Sequence, residues 1–411
     1  MLAKLKNARG RLPACYLATA ILAAPAAAAH GTEKVLHAFQ GGNDGSGPLG
    51  NLIRDKVGNL YGTTLEGGGG TECRNSIGCG TVFQVAPDRT ESVLHAFGGG
   101  CDGANPYAGL VADKAGNLYG TTQGGGTCNN DEGFGTVYKL APDGGETVLY
   151  AFGGGSDGLA PASNLILEKN DRLYGTTEFG GNMASCGGNG CGTVFEVTPK
   201  RKEAVLYAFQ GGSDGDGPYG DVIMDKAGNL YGTTLQGGGT GCYGDGCGTV
   251  FKIAPDGSEA VLYAFQGGSD GWLPQNGVVE DAAANLYGTT AAGGTDDGGS
   301  VFKVTPDGSE SVLYSFQRAT GGYDPEAGVI LDKAGNLYGT TAFGGIGCGR
   351  AGCGVAYELA PDGTETPLYA FKGHRGRNPA GDILLDKRGD LYGTTNEGGD
   401  DNNGVVFELK R

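Results

Sequence analysis

The pentapeptide Leu-Tyr-Gly-Thr-Thr occurs seven times in this 411-residue chain, starting at Leu60, Leu118, Leu173, Leu230, Leu286, Leu337 and Leu391. Successive copies lie 51 to 58 residues apart. A repeat of that length means one supersecondary unit, copied, with each copy burying its apolar face against the next. The fourth copy shows the unit. Asp221-Val-Ile-Met-Asp225 leads through Lys-Ala-Gly-Asn into Leu230-Tyr-Gly-Thr-Thr234. A Gly-rich stretch follows, then Gly248-Thr-Val-Phe-Lys-Ile-Ala254, the turn Pro-Asp-Gly-Ser, and Glu259-Ala-Val-Leu-Tyr-Ala-Phe265. These are four short runs rich in β-branched and aromatic residues, each bounded by turn formers, and no segment has a helical period. Each unit therefore reads as a four-stranded antiparallel meander, with strands a, b, c and d.

The chain ends decide between a line and a ring. The last unit stops after strand c, Val405-Val-Phe-Glu-Leu409, and the first is preceded by an orphan strand d, Glu33-Lys-Val-Leu-His-Ala-Phe39. The orphan can complete the last sheet and cover its open edge. The fold class expected is all-β: a seven-bladed β-propeller closed by its N-terminal strand, one domain over residues 30–411. The strings Gly-Asn-Leu-Tyr-Gly-Thr-Thr, Gly-Thr-Val-Phe and Val-Leu-Tyr-Ala-Phe also resemble the GloVer tandem repeat of exported bacterial proteins, from about Glu33 to Arg411. That resemblance implies an exported repeat protein, often surface-anchored, with no agreed activity. The chain departs from it in showing no C-terminal anchor.

Residues 1–29 have the form of a secretory leader: Lys4, Lys6, Arg9 and Arg11, an apolar stretch from Cys15 to Ala24, and Ala27-Ala28-Ala29 as cleavage site. The apolar stretch is too short to span a membrane. Removing this leader takes away four of the 29 basic residues and none of the 46 acidic ones, moving the net charge from −17 to −21. That balance disfavours nucleic acid and anionic membranes as partners. An exported chain with an even number of cysteines outside the leader suggests disulfides. Cys73–Cys79, Cys186–Cys191, Cys242–Cys247 and Cys348–Cys353 are local pairs in the b–c connections. Cys101 and Cys128, in facing loops of blade two, would pair with each other. Paired cysteines with no nearby His supply too few ligands for zinc.

The a–b and c–d turns are short and stereotyped, whereas the b–c and d–a connections are long, variable and stapled, so function is expected on their face. Asp44, Asp102, Asp157, Asp214 and Asp270 recur at one d–a slot, either as Ca²⁺ ligands or, as their spacing favours, as turn-forming side chains. The Tyr of each pentapeptide is expected to pack between blades with its hydroxyl on a neighbouring loop, and Thr-Thr to hydrogen-bond at the strand end. Three adjoining loops depart from the template: Trp272, Gln275 and Asn276 in blade five; Arg318, Tyr323, Asp324 and Glu326 in blade six; His374, Arg375 and Arg377 in blade seven. An aromatic platform beside carboxylates and cations would suit a saccharide, with Arg375 and Arg377 gripping any acid group. At the channel mouth stand Asn51, Asn164, Asp221 and Asp382, an acid–base or metal-binding set on one reading and a polar rim on the other. His37 and His95 fill Tyr positions of strand d as packing variants.

No catalytic triad, phosphate loop or dinucleotide fingerprint is present. The expectation is an exported monomeric module, secreted or periplasmic, binding a carbohydrate or cell-surface polymer. The alternatives are a polysaccharide lyase or hydrolase using His374 and Tyr323 as acid and base, and an adhesion scaffold anchored by Trp272 and Phe343.

Overall fold

The computed structural model describes residues 31–411 apart from 71–72, 74–76, 129–132 and 319–320; the expected leader lies outside the described residues. Seven small antiparallel sheets follow one another round a ring, forming a seven-bladed β-propeller with almost no helix. In blade one the strands are Ile53–Arg54, Leu60–Thr64, Thr81–Val85 and Glu91–Ala96, and the other blades repeat this plan. The ring closes as the sequence predicts. Thr32–Ala38 pairs antiparallel with Val405–Lys410 as strand d of blade seven, and Gly31 N–H donates to Leu368 O of blade six.

The pentapeptide is a packing device in which each residue has a separate task. Leu60 is buried in the seam with blade seven. Tyr61 packs against blade two, and its hydroxyl donates to Asp55 of its own a–b turn at 3.1 Å, rather than to a neighbouring loop as the sequence suggests. The same Asp55 accepts backbone N–H bonds from Val57, Gly58 and Asn59, so one carboxylate organises both turn and tyrosine. Gly62 leaves room for an aromatic ring: a Cβ there would stand 2.7 Å from Phe83 Cζ. Thr63 Oγ1 donates to Ala108 O in the next blade, and Thr64 Oγ1 meets Thr81 Oγ1 on strand c at 2.8 Å.

Between blades, the Phe that ends each strand d meets the aromatic residue of the following blade's strand c edge-to-face. Phe39–Phe83, Phe97–Tyr138, Phe209–Phe251 and Phe371–Phe407 have ring centroids 5.0 to 5.1 Å apart. Such contacts add about 0.5–1.5 kcal/mol each beyond area burial. The core is thus a circle of inter-blade clusters rather than one central mass.

All five expected disulfides are present: Cys73–Cys79, Cys101–Cys128, Cys186–Cys191, Cys242–Cys247 and Cys348–Cys353. They suit an extracellular or periplasmic protein. Among the described residues no helix is long and apolar enough to cross a membrane.

Candidate functional site

At the outer rim the recurring aspartates are turn formers. Asp44 Oδ2 accepts Gln40 N–H at 2.7 Å, and Asp102, Asp157, Asp214 and Asp270 accept the backbone N–H of Gly98, Gly153, Gln210 and Gln266 in the same way. The other face of each carboxylate meets the His or Tyr of strand d: His37 Nε2 lies 3.2 Å from Asp44, and Tyr207 donates to Asp214 at 3.0 Å. A glutamate that opens strand d of the next blade presses on the same group. Burial, and then the facing aspartate, pushes Glu91, Glu146, Glu203, Glu259 and Glu310 up to about 7. One oxygen of each of these glutamates is buried without a hydrogen-bond partner.

Blade seven replaces the aspartate with a cation at this clasp. Arg375 Nε sits 2.7 Å from Glu33 Oε2 and its Nη2 donates to Glu33 O, while Tyr369 donates to the same carboxylate at 3.2 Å. His374 stands on the same turn, Gly373–Arg375. Arg377 is ion-paired with Glu397. The blade-seven cations are therefore joined to acids of the ring, and Arg375 binds the closing strand itself.

On the axis, Asn51, Asn164, Asp221 and Asp382 meet. Asn164 holds Asp221 with its backbone N–H and its amide at 2.7 and 2.6 Å. Asp382 accepts from Gly328 N–H at 2.6 Å and from the amides of Asn276 and Asn51, each at 3.0 Å. Asn51 also reaches Asp221 at 3.5 Å, and Gly109 N–H donates to Asn164 Oδ1. This circuit ties all seven blades across the centre. Burial, together with Asp221, pushes Asp382 up to about 7, and burial raises Asp221 as well. Above the circuit lies a small cavity of about 50 Å³, lined in part by Tyr107, Tyr219, Gln275, Asn276 and Glu326.

Across blades four to six runs an aromatic strip. Tyr243, inside the Cys242–Cys247 staple, is 95% exposed and has a left-handed backbone, φ 70°. Its ring centroid lies 6.1 Å from that of Trp272, and the two line a 370 Å³ cleft with Asp297. Trp272 Nε1 points at Asp297 Oδ1 from 3.5 Å. Arg318 donates to Asp297 O at 2.8 Å and lies over the Tyr323 ring, which stacks in turn on Phe343 at 5.5 Å.

A profile of the Gloeobacter/Verrucomicrobia repeat matches residues 25–185, 69–267 and 239–411, three overlapping stretches that take in the whole ring. The chain belongs to that repeat family. No curated protein matches this family member in sequence. Among solved structures it resembles virginiamycin B lyase from Staphylococcus aureus, with a TM-score of 0.57 and 13% identity over 93% of this chain and 99% of that one. A catalytically inactive variant of that lyase, solved with quinupristin, gives 0.58 at 14% identity over the same shares. An extracellular domain ascribed to a hybrid two component system of B. thetaiotaomicron gives 0.59 at 11%, over 92% of this chain and 40% of that one. At these identities the likeness is one of fold.

The repeat protein thus separates residues that the sequence groups together. Trp272, Arg318 and Tyr323 share the strip. Gln275, Asn276 and Glu326 turn to the axis, and His374, Arg375 and Arg377 lie on blade seven. Asp324 serves the backbone, accepting Ala342 N–H and giving its own N–H to Gly298 O. His374 and Tyr323 share no hydrogen bond or ring contact among the described residues. The strip also takes in Tyr243 and Asp297, which the sequence does not single out because they lie in the b–c connections and not in the d–a loops that depart from the template. An aromatic residue between two stapled cysteines was the available signal.

Proposed function

We propose that this repeat protein is an exported binding module that recognises a carbohydrate or another cell-surface polymer on the aromatic strip of blades four to six, without catalysis. The observation that carries the reading is the pairing of exposed Tyr243 with Trp272 over an open cleft holding Asp297 as hydrogen-bond acceptor. Flat rings with a polar edge are what a sugar face requires. Arg318, Arg375 and Arg377 are each already paired with an acid, which favours a neutral ligand over a uronate.

Trp272 is the sole tryptophan, so its fluorescence reports on this cleft directly. Titration of the protein with a panel of soluble neutral glycans is expected to give a saturable change with at least one of them. Tyr243→Ala should weaken that binding roughly tenfold, the scale of one lost stacking contact. Silence across the panel removes the proposal. Release of product from any polysaccharide in a parallel digestion assay removes its non-catalytic part.

A further inference from the structure

Each d–a loop approaches the axis through a proline followed by one variable residue. The seven prolines are Pro48, Pro106, Pro161, Pro218, Pro274, Pro325 and Pro379. Each is seated on a glycine of the preceding blade: a Cβ on Gly80 would stand 2.5 Å from Pro106 Cδ, and one on Gly248 equally close to Pro274. The backbone there is pinned, yet the next residue runs Leu49, Tyr107, Ala162, Tyr219, Gln275, Glu326 and Ala380. All seven line the axial cavity. In a chain that copies its units so closely, one pinned position that varies in every property forms a built surface.

The composition of that surface is one-sided. Ala162 carries no bulk, and over it Tyr107 and Tyr219, from the blades on either side, meet edge-to-face at 5.3 Å. Glu326 stands near enough to Tyr107 to raise its hydroxyl, after burial itself, and Glu178 acts on both tyrosines. Asp221 is in the floor, with Asp382 bonded beneath it through Asn51. Among the described residues no Lys, Arg or His lines the cavity. Aromatic faces with carboxylates and no competing cation form a cation box. The cavity is open to solvent at its mouth, so a cation can enter it from the axis.

We propose that the axial mouth binds a primary ammonium group, with Glu326 as its counter-ion and Tyr107 and Tyr219 as its aromatic walls. A primary ammonium donates N–H bonds to the carboxylate and to the amide oxygens of Gln275 and Asn276, which a quaternary ammonium has no N–H to make. The box uses none of the residues of the aromatic strip, so the two sites stand or fall separately.

Titration calorimetry of the whole protein with methylammonium chloride tests this, with tetramethylammonium and potassium chloride as parallel arms. Saturable binding of methylammonium alone is expected. Burial, and then Asp324, pushes Glu326 up to about 7, so affinity should rise as pH climbs through 7 and level off above it. The other titratable groups lining the box are Asp221, Tyr107 and Tyr219, with the charge of Glu178 acting on the two tyrosines and that of Asp324 on Glu326. Glu326→Gln should lower affinity roughly tenfold and flatten that rise. Gln275→Lys, which places a fixed cation at the mouth, should abolish binding while the far-UV spectrum stays unchanged. Equal binding by Glu326→Gln, or equal heats from tetramethylammonium or potassium, overturns the assignment.

Discussion

Gly232, in the pentapeptide of blade four, shows how much of this fold rests on an atom that is absent. Its Cβ position lies 2.7 Å from Phe251 Cζ, on a ring that is buried and already in contact with Phe209. The same relation holds for Gly288 with Phe302 and Gly393 with Phe407. Alanine at 232 must push the ring off its neighbour, and overpacking of this kind costs about 1–3 kcal/mol. Gly232→Ala should therefore lower the urea midpoint clearly. Gly155→Ala, where a Cβ meets nothing within 4 Å, should leave it unchanged. Equal midpoints for the two variants would show that the ring can move aside. Repetition made this glycine visible in the sequence, but the strand pattern does not reveal that it cradles an aromatic residue of the adjoining strand. The tyrosine before it, Tyr231, was legible as inter-blade packing; its bond to Asp225 was not, because that depends on the geometry of the a–b turn.

Where strand d of one blade meets strand d of the next, the clasp gives stability a direction in pH. The five glutamates of these seams have their carboxyls raised from 4.5 to about 7, so the folded state holds protons that the unfolded chain releases. Their contribution is complete below about pH 4.5 and is lost as pH rises through 7. Asp55, Asp113, Asp225, Asp281 and Asp332 act oppositely: burial raises them, but bonds from their own turns bring each below 3.8, so their contribution is lost on acidification. The urea midpoint should thus peak near pH 4–5 and fall towards pH 8. Because the seam glutamates are only partly buried, solvent screening limits each seam to no more than about 1 kcal/mol. Glu259→Gln combined with Glu310→Gln should flatten the alkaline limb, and a midpoint that climbs from pH 5 to 8 in the parent protein would refute the account. The sequence displayed the glutamates and aspartates at fixed slots, yet each pair joins residues some 45 positions apart, on different blades. The same distance problem hid Arg375, whose partner Glu33 lies 342 residues away.

Over the whole molecule, closure was readable because it needs only a count of strands: one too few at the end, one too many at the start. The structure adds the means of fastening it. Strand 32–38 is bound along its length to Val405–Lys410, and Glu33 is gripped by Arg375 and Tyr369 from the blade-seven loop and from blade six. The first strand to be made therefore waits on the last blade, and until the two meet Val405–Lys410 is an open edge, with Val405, Val406 and Phe407 buried in the closed ring. An unpaired edge of that kind recruits another strand. A chain lacking residues 30–39 should emerge as dimers or larger species in light scattering, and a synthetic peptide of those residues should return it to monomer. Arg375→Ala should leave the intact chain closed and monomeric but sensitise the Thr32–Lys34 backbone to protease, since it loosens the Glu33 end of the strand while the pairing with strand c persists. If the truncated chain stays monomeric with an unaltered melting curve, the ring does not depend on its clasp, and its stability must come from the inter-blade aromatic contacts alone.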